Sequence, residues 1–233
     1  MNTLETSIRC LTRCVNGQFP RPWMTDVEHP EKVRIFIVGY NQATSCPAGS
    51  ITHDAYIDAL FNRNGRSCRE LYKLLRGDAG PSRTHKNIDI LKDGLATRGL
   101  NDVMVTNAIC YSSPMSADLL KPEHRGGNAS GRQIFAELLE LIRPVILIAH
   151  GARTTKELGR VLSTKLPAAA SKQAEGVSCV RVHTKLRGDS SYAPMVFVIP
   201  SLASPKWNSW QTWAQPHLTE TCEQVRKALS MGD

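Results

Sequence analysis

Four short apolar runs constrain what this chain can fold into more than any other feature. They are Val33–Val38, Val103–Ile109, Val145–Ala149 and Met195–Ile199. Each is rich in β-branched residues and free of Gly and Pro, as expected of strands buried on both faces of a parallel sheet. Between and around them lie segments with helical spacing. These are Leu4, Ile8, Leu11 and Val15; Tyr56, Leu60 and Phe61; Cys68 to Leu75; Ile88 to Leu95; Ile134, Leu138, Leu141 and Ile142; and Leu218, Cys222, Val225 and Leu229. Strands alternating with helices predict an α/β fold: a three-layer architecture around a four-stranded parallel sheet, order 2-1-3-4, flanked by helices. Val180 and Val182 alternate with polar residues, so 177–187 reads as an added strand or hairpin. No Pro/Gly/Ser-rich linker divides the 233 residues, which predicts a single domain over 1–233.

Composition narrows the partners. Lys and Arg number 29 against 21 Asp and Glu, a net charge of +8. Such an excess favours a polyanion such as DNA or RNA. The seven cysteines are odd in number and form no C-x-x-C pair, which fits free thiols in a reducing cytoplasm. Cys10 and Cys14 are one helical turn apart, but no second pair has ligand spacing, so no metal or other cofactor is expected. No apolar run reaches the ~18 residues of a membrane span, and Met1–Glu5 lacks the pattern of a signal peptide.

In an open parallel sheet, ligands bind where the strands end. The four runs would deliver Gly39-Tyr40-Asn41, Thr106-Asn107, His150-Gly151 and Pro200-Ser201 to one edge. Cations stand in the loops expected beside it: Arg83, His85 and Lys86 in one, Lys121, His124 and Arg125 in another. Two rival chemistries lack their signatures. There is no G-x-G-x-x-G or Walker loop for a nucleotide, and no G-x-S-x-G elbow for an α/β hydrolase.

In order and strand context, these four segments resemble the motifs of the uracil-DNA glycosylase superfamily. Gly39-Tyr40-Asn41-Gln42-Ala43 is similar to the water-activating motif of members that use Asn. Thr106-Asn107-Ala108 resembles the strand end that reads a flipped base. Ile146–Gly151 resembles the third motif, and Pro200-Ser201-Leu202-Ala203-Ser204 the Pro-Ser loop that presses on DNA. The resemblance implies a monofunctional DNA glycosylase, a monomer on DNA, that hydrolyses an N-glycosidic bond without a metal. It assigns Asn41 to placing the water, and Gly39, Tyr40, Gln42, Ala43 and Asn107 to the base. Ser201, Ser204, Lys206, Trp207, Arg83, Lys86 and Arg125 fall to DNA contact, with Leu202 as the wedge in the stack.

The chain departs from that pattern twice. Relatives carry His or Asn just before the Pro-Ser pair to stabilise the leaving base; here the residue is Ile199. Either backbone amides near Ser201 replace it, or His150 does; a buried structural role for His150 stays open. Uracil-strict relatives also place Tyr where this chain has Ala43, leaving space for a 5-substituted pyrimidine. The expected substrate is therefore a modified pyrimidine, as in defence against phages with modified DNA, with uracil repair, or a non-catalytic DNA-binding relative that has lost the chemistry, as the alternatives.

Overall fold

The computed structural model describes residues 3–63, 65, 67–186 and 191–231. It is an α/β fold with a mixed sheet flanked by helices. In chain order the elements are α1 (Thr3–Leu11), β1 (Ile35–Gln42), α2 (His53–Leu60), α3 (Cys68–Arg76), α4 (Arg83–Ala96), β2 (Val103–Ser112) and α5 (Gly127–Ile142). There follow β3 (Ile146–His150), α6 (Ala152–Val161), β4 (Ser178–Arg181), β5 (Thr184–Lys185), β6 (Ser191–Tyr192), β7 (Met195–Ile199) and α7 (Gln211–Ser230). Five strands form the main sheet in the order β2-β1-β3-β7-β4. The first four keep the expected sequence, and β4 adds an antiparallel edge beside β7. The strand expected over 177–187 is thus β4, followed by a small β5–β6 ladder; Arg187 lies outside the described residues.

The chain divides into two compact units. The first comprises Met1–Val33, Gly39–Gly80 and Met104–Arg143. Its exposed sheet border is β2, and the extended segment after α1 covers it. Arg21 N–H donates to the Cys110 carbonyl at 2.9 Å, Met24 N–H to the Val105 carbonyl at 3.0 Å, and Thr25 Oγ1 accepts from Val105 N–H at 2.6 Å. That cover satisfies backbone groups an edge strand would leave open. Tyr56 and Trp23, both fully buried, fill the space below.

The second unit comprises Arg34–Val38, Pro81–Val103 and Pro144–Asp233. Here the first half of β1 runs parallel to β3, with Val38 opposite Ala149, and β3 runs parallel to β7, with His150 opposite Ile199. The side chains of Ile35–Val38, Ile146–Ala149 and Val196–Ile199 are at most 1% exposed, so both faces of these strands are covered. Continuous apolar runs in place of alternation follow from that double burial. No helix among the described residues is long and apolar enough to cross a membrane.

Candidate functional site

In the first unit, Asn41 closes β1. Its side chain is half-buried, and its amide nitrogen is fully engaged: Nδ2 donates to Ser113 Oγ at 2.9 Å and to the Gln42 carbonyl at 3.2 Å. No protein donor among the described residues reaches Oδ1. The carboxamide is therefore held by its nitrogen and offers its oxygen, an acceptor able to orient a water. Gln42 points the other way, as the alternation of a strand requires. It is 3% exposed and bonded on both amide atoms: Nε2 donates to the Arg21 carbonyl, and Oε1 accepts from Arg21 Nε and Ser112 Oγ. Both amide atoms of Gln42 are thus spent on bonds within the fold, where a base-binding role was expected for it. Ala43 is exposed and Tyr40 half-buried.

Asn107 lies inside β2, not at its end. The apolar run does not stop at Ile109, because Cys110 and Tyr111 are fully buried and the strand continues to Ser112. The strand is nevertheless bent at this point. Thr106 Oγ1 lies 3.7 Å from Cys110 Sγ, whereas same-face side chains four residues apart on a flat strand stand about 13 Å apart. Burial pushes the Cys110 thiol up to about 12, so it stays protonated and donates to the Asn107 carbonyl at 3.2 Å. The strand is thus bent sharply over residues 107–109, which changes the direction in which the side chains there are presented. The Asn107 side chain is 5% exposed, and its Nδ2 has no protein partner. A buried amide donor left without an acceptor costs about 1–3 kcal/mol, a cost that a ligand carbonyl would remove. No hydrogen bond joins Asn107 to Asn41.

In the second unit, His150 ends β3. It is 6% exposed, its Nδ1 is unpartnered, and burial lowers its pKa to about 4. The ring is therefore neutral at physiological pH. Its register partner is Ile199, so the imidazole stands on the same rung of the sheet as the residue that precedes Pro200-Ser201. Gly151 has a φ of +86°, and a Cβ there would sit 3.1 Å from the Ser201 Cβ. Glycine thus permits the close approach of the β3 turn to the Pro200-Ser201 loop.

That loop is pinned. Ser201 Oγ accepts from Ala203 N–H, the Ser201 carbonyl accepts from Trp210 Nε1 at 2.9 Å, and Asn87 Nδ2 donates to the Leu202 carbonyl at 2.8 Å. Leu202 is fully buried, which removes it as an exposed wedge. Its backbone is fixed from α4, and its side chain belongs to the core. Ser204 and Lys206 are exposed and Trp207 is half-buried, its ring edge-on to Trp210 at 4.8 Å. Arg83 and Lys86 are exposed on the first turn of α4, not in a loop, because Ser82 caps that helix by accepting from His85 N–H. Arg125 is exposed ahead of α5, back in the first unit.

Residue identity alone did not single out Ser113 or Arg21. Ser113 is one of a run of small polar residues after an apolar strand, and Arg21 is one cation among many. Yet the Arg21 side chain is only 2% exposed, lies over the Tyr72 ring at 5.2 Å, and donates from Nη2 to the Thr44 carbonyl at 3.0 Å. Among the described residues, no cluster of three or more His, Cys, Asp or Glu has the arrangement of a metal site. No protein-family model and no curated protein matches the chain.

Proposed function

We propose that this protein is a DNA glycosylase of the uracil-DNA glycosylase type, acting on a flipped-out, 5-substituted pyrimidine and leaving an abasic site. The observation that carries the reading is the Asn41 carboxamide, clamped through its nitrogen with its oxygen left to accept. In such a reaction the sugar moves toward an oxocarbenium ion while the base leaves as an anion. Asn41 Oδ1 orients a water toward the sugar but cannot take its proton at neutral pH. The rate then rests on holding the base and stabilising its developing charge. Asn107, with a buried donor that lacks a partner, supports the role of base reader. A neutral His150 suits donation of a hydrogen bond without a full charge. The exposed Ala43 leaves the base's 5-position unobstructed from that residue.

In this reading the protein works as a monomer on DNA in the cytoplasm and needs no cofactor. Removal of foreign modified DNA fits the open 5-position better than uracil repair. The test is incubation of the full chain with duplexes carrying uracil, 5-hydroxymethyluracil, 5-hydroxymethylcytosine or larger 5-substituents, with mass spectrometry of released bases. Release of a 5-substituted base, abolished in Asn41→Ala while DNA binding persists, is the expected result. Release of none by the wild type removes the enzymatic reading.

A further inference from the structure

The geometry points to the loop after β2, not the Pro-Ser loop, as the wedge of this protein, with Leu120 and Met115 as the side chains that enter the base stack. This rests on the DNA-glycosylase reading above. Such an enzyme must fill the gap a swung-out nucleotide leaves, commonly with an apolar side chain. Leu202 cannot do so as it stands, being wholly buried. Leu120 is 85% exposed and Met115 67%, two of the five large hydrophobic side chains found exposed among the described residues.

The loop carrying them is rigidly based. Ser113, whose Oγ accepts from Asn41, itself donates to the Met115 carbonyl at 2.8 Å. The Met115 N–H donates to Asp118 Oδ2 at 2.9 Å, and the other oxygen of that carboxylate pairs with Lys121 Nζ at 2.8 Å. Leu119, between the two bends, is 5% exposed and packs with Ile109, Tyr111, Val15 and Tyr40. The far end is tied by Tyr111 Oη to His124 Nδ1 at 3.0 Å and by Asn16 Nδ2 to the Arg125 carbonyl at 3.0 Å. One leucine is thus buried as an anchor so that its neighbour is presented outward. Holding an apolar side chain in water on an ordered loop has no folding benefit.

Size decides the occupant. A stable protein interface buries about 800 Å² per partner over some 20–30 residues, and two side chains on one loop fall far short. A gap in a base stack accepts one or two. Within the loop Lys121 is paired with Asp118, and Arg125 is balanced by Glu123, so the attraction toward DNA comes from the chain as a whole, at +8.

The experiment compares binding of the full chain to an intact duplex and to the same duplex with a central tetrahydrofuran abasic analogue, 2-aminopurine standing opposite the gap. The wild type is expected to prefer the gapped duplex by about tenfold and to brighten the 2-aminopurine. Leu120→Ala with Met115→Ala should lose most of that preference and the brightening, with binding to intact duplex and thermal midpoint unchanged. If the double variant keeps the wild-type preference, the wedge assignment falls and the glycosylase reading stands. A wild type that binds neither duplex removes both. If the substitutions instead dissolve a self-associated species in sedimentation while DNA binding is untouched, the surface serves a second copy of the chain and the assignment is overturned.

Discussion

Asn41 Nδ2 and Ser113 Oγ are 2.9 Å apart, and the serine's own proton is committed to the Met115 carbonyl at 2.8 Å. That commitment fixes the polarity of the pair. A hydroxyl already donating can only accept from Asn41, so the amide is held with nitrogen inward and oxygen outward, and it has no reason to flip. Ser113→Ala removes the constraint. Base release should slow by about fivefold, one well-placed hydrogen bond being worth about 1 kcal/mol, while affinity for DNA stays put. In an Asn41→Asp background the two ends of the side chain are alike and orientation has no meaning. There Ser113→Ala should cost little, a non-additivity that single-turnover rates of the four proteins would expose. Equal losses in both backgrounds would reduce Ser113 to general support.

Gln42 offers a contrast with its neighbour. Truncation to Ala strips Arg21 Nε of its acceptor and the Arg21 carbonyl of its donor, both in a buried setting, while Ser112 Oγ keeps the Thr44 carbonyl at 3.0 Å. The expected cost is about 2–3 kcal/mol, read by urea denaturation. Preference among modified bases should not change. A shift in that preference at unchanged stability would return Gln42 to the base pocket.

The central strands themselves were readable because double burial writes itself as unbroken apolar sequence. The continuation of β1 past Val38 to Gln42 was not readable: Asn41 and Gln42 are both carboxamides, and only the buried guanidinium of Arg21 explains which one is spent on structure. Asn107 looked like a strand end because an amide seemed to close an apolar run. The strand instead runs on through it to Ser112, with the buried Cys110 and Tyr111 beyond. Leu202 illustrates a different limit. An apolar residue in a Pro-Ser loop reads equally well as wedge or core, and it is the complete burial of the side chain that decides. Leu202→Ala should therefore cost about 2–4 kcal/mol of stability, measured by denaturant titration, whereas loss of a solvent-facing wedge would leave stability unaltered.

His150 makes a prediction about acid. Its pKa in the folded chain is about 4 because burial disfavours the imidazolium. Unfolded, the group returns to about 6.5 and binds the proton first. The unfolded state thus holds more protons between those values, so stability is intact above pH 6.5 and falls as pH drops toward 4, by about 3 kcal/mol over the window. His150→Gln should flatten much of that slope in denaturation series run from pH 4 to 7. The same neutrality means that base release should stay level from pH 6 to 8. A limb with a midpoint near 6.5 in the wild-type profile would indicate a charged imidazolium in the reaction.

Asn107→Leu separates structure from use most sharply. The side chain is buried with Nδ2 unsatisfied, so as a piece of the fold it is a liability. Replacing an orphaned amide by an apolar group of similar volume is commonly neutral or stabilising. Asn107→Leu should accordingly hold or raise the thermal midpoint. If the amide is kept for a base carbonyl, the same change should abolish base release, because a pyrimidine edge would then meet a surface with nothing to donate. The bend is held by Thr106, Cys110 and backbone, none of which the substitution touches, so the strand should keep its course. A variant that is more stable and still active would mean that the carboxamide reads nothing. One that is less stable would mean that the amide is satisfied in solution by a partner within the fold.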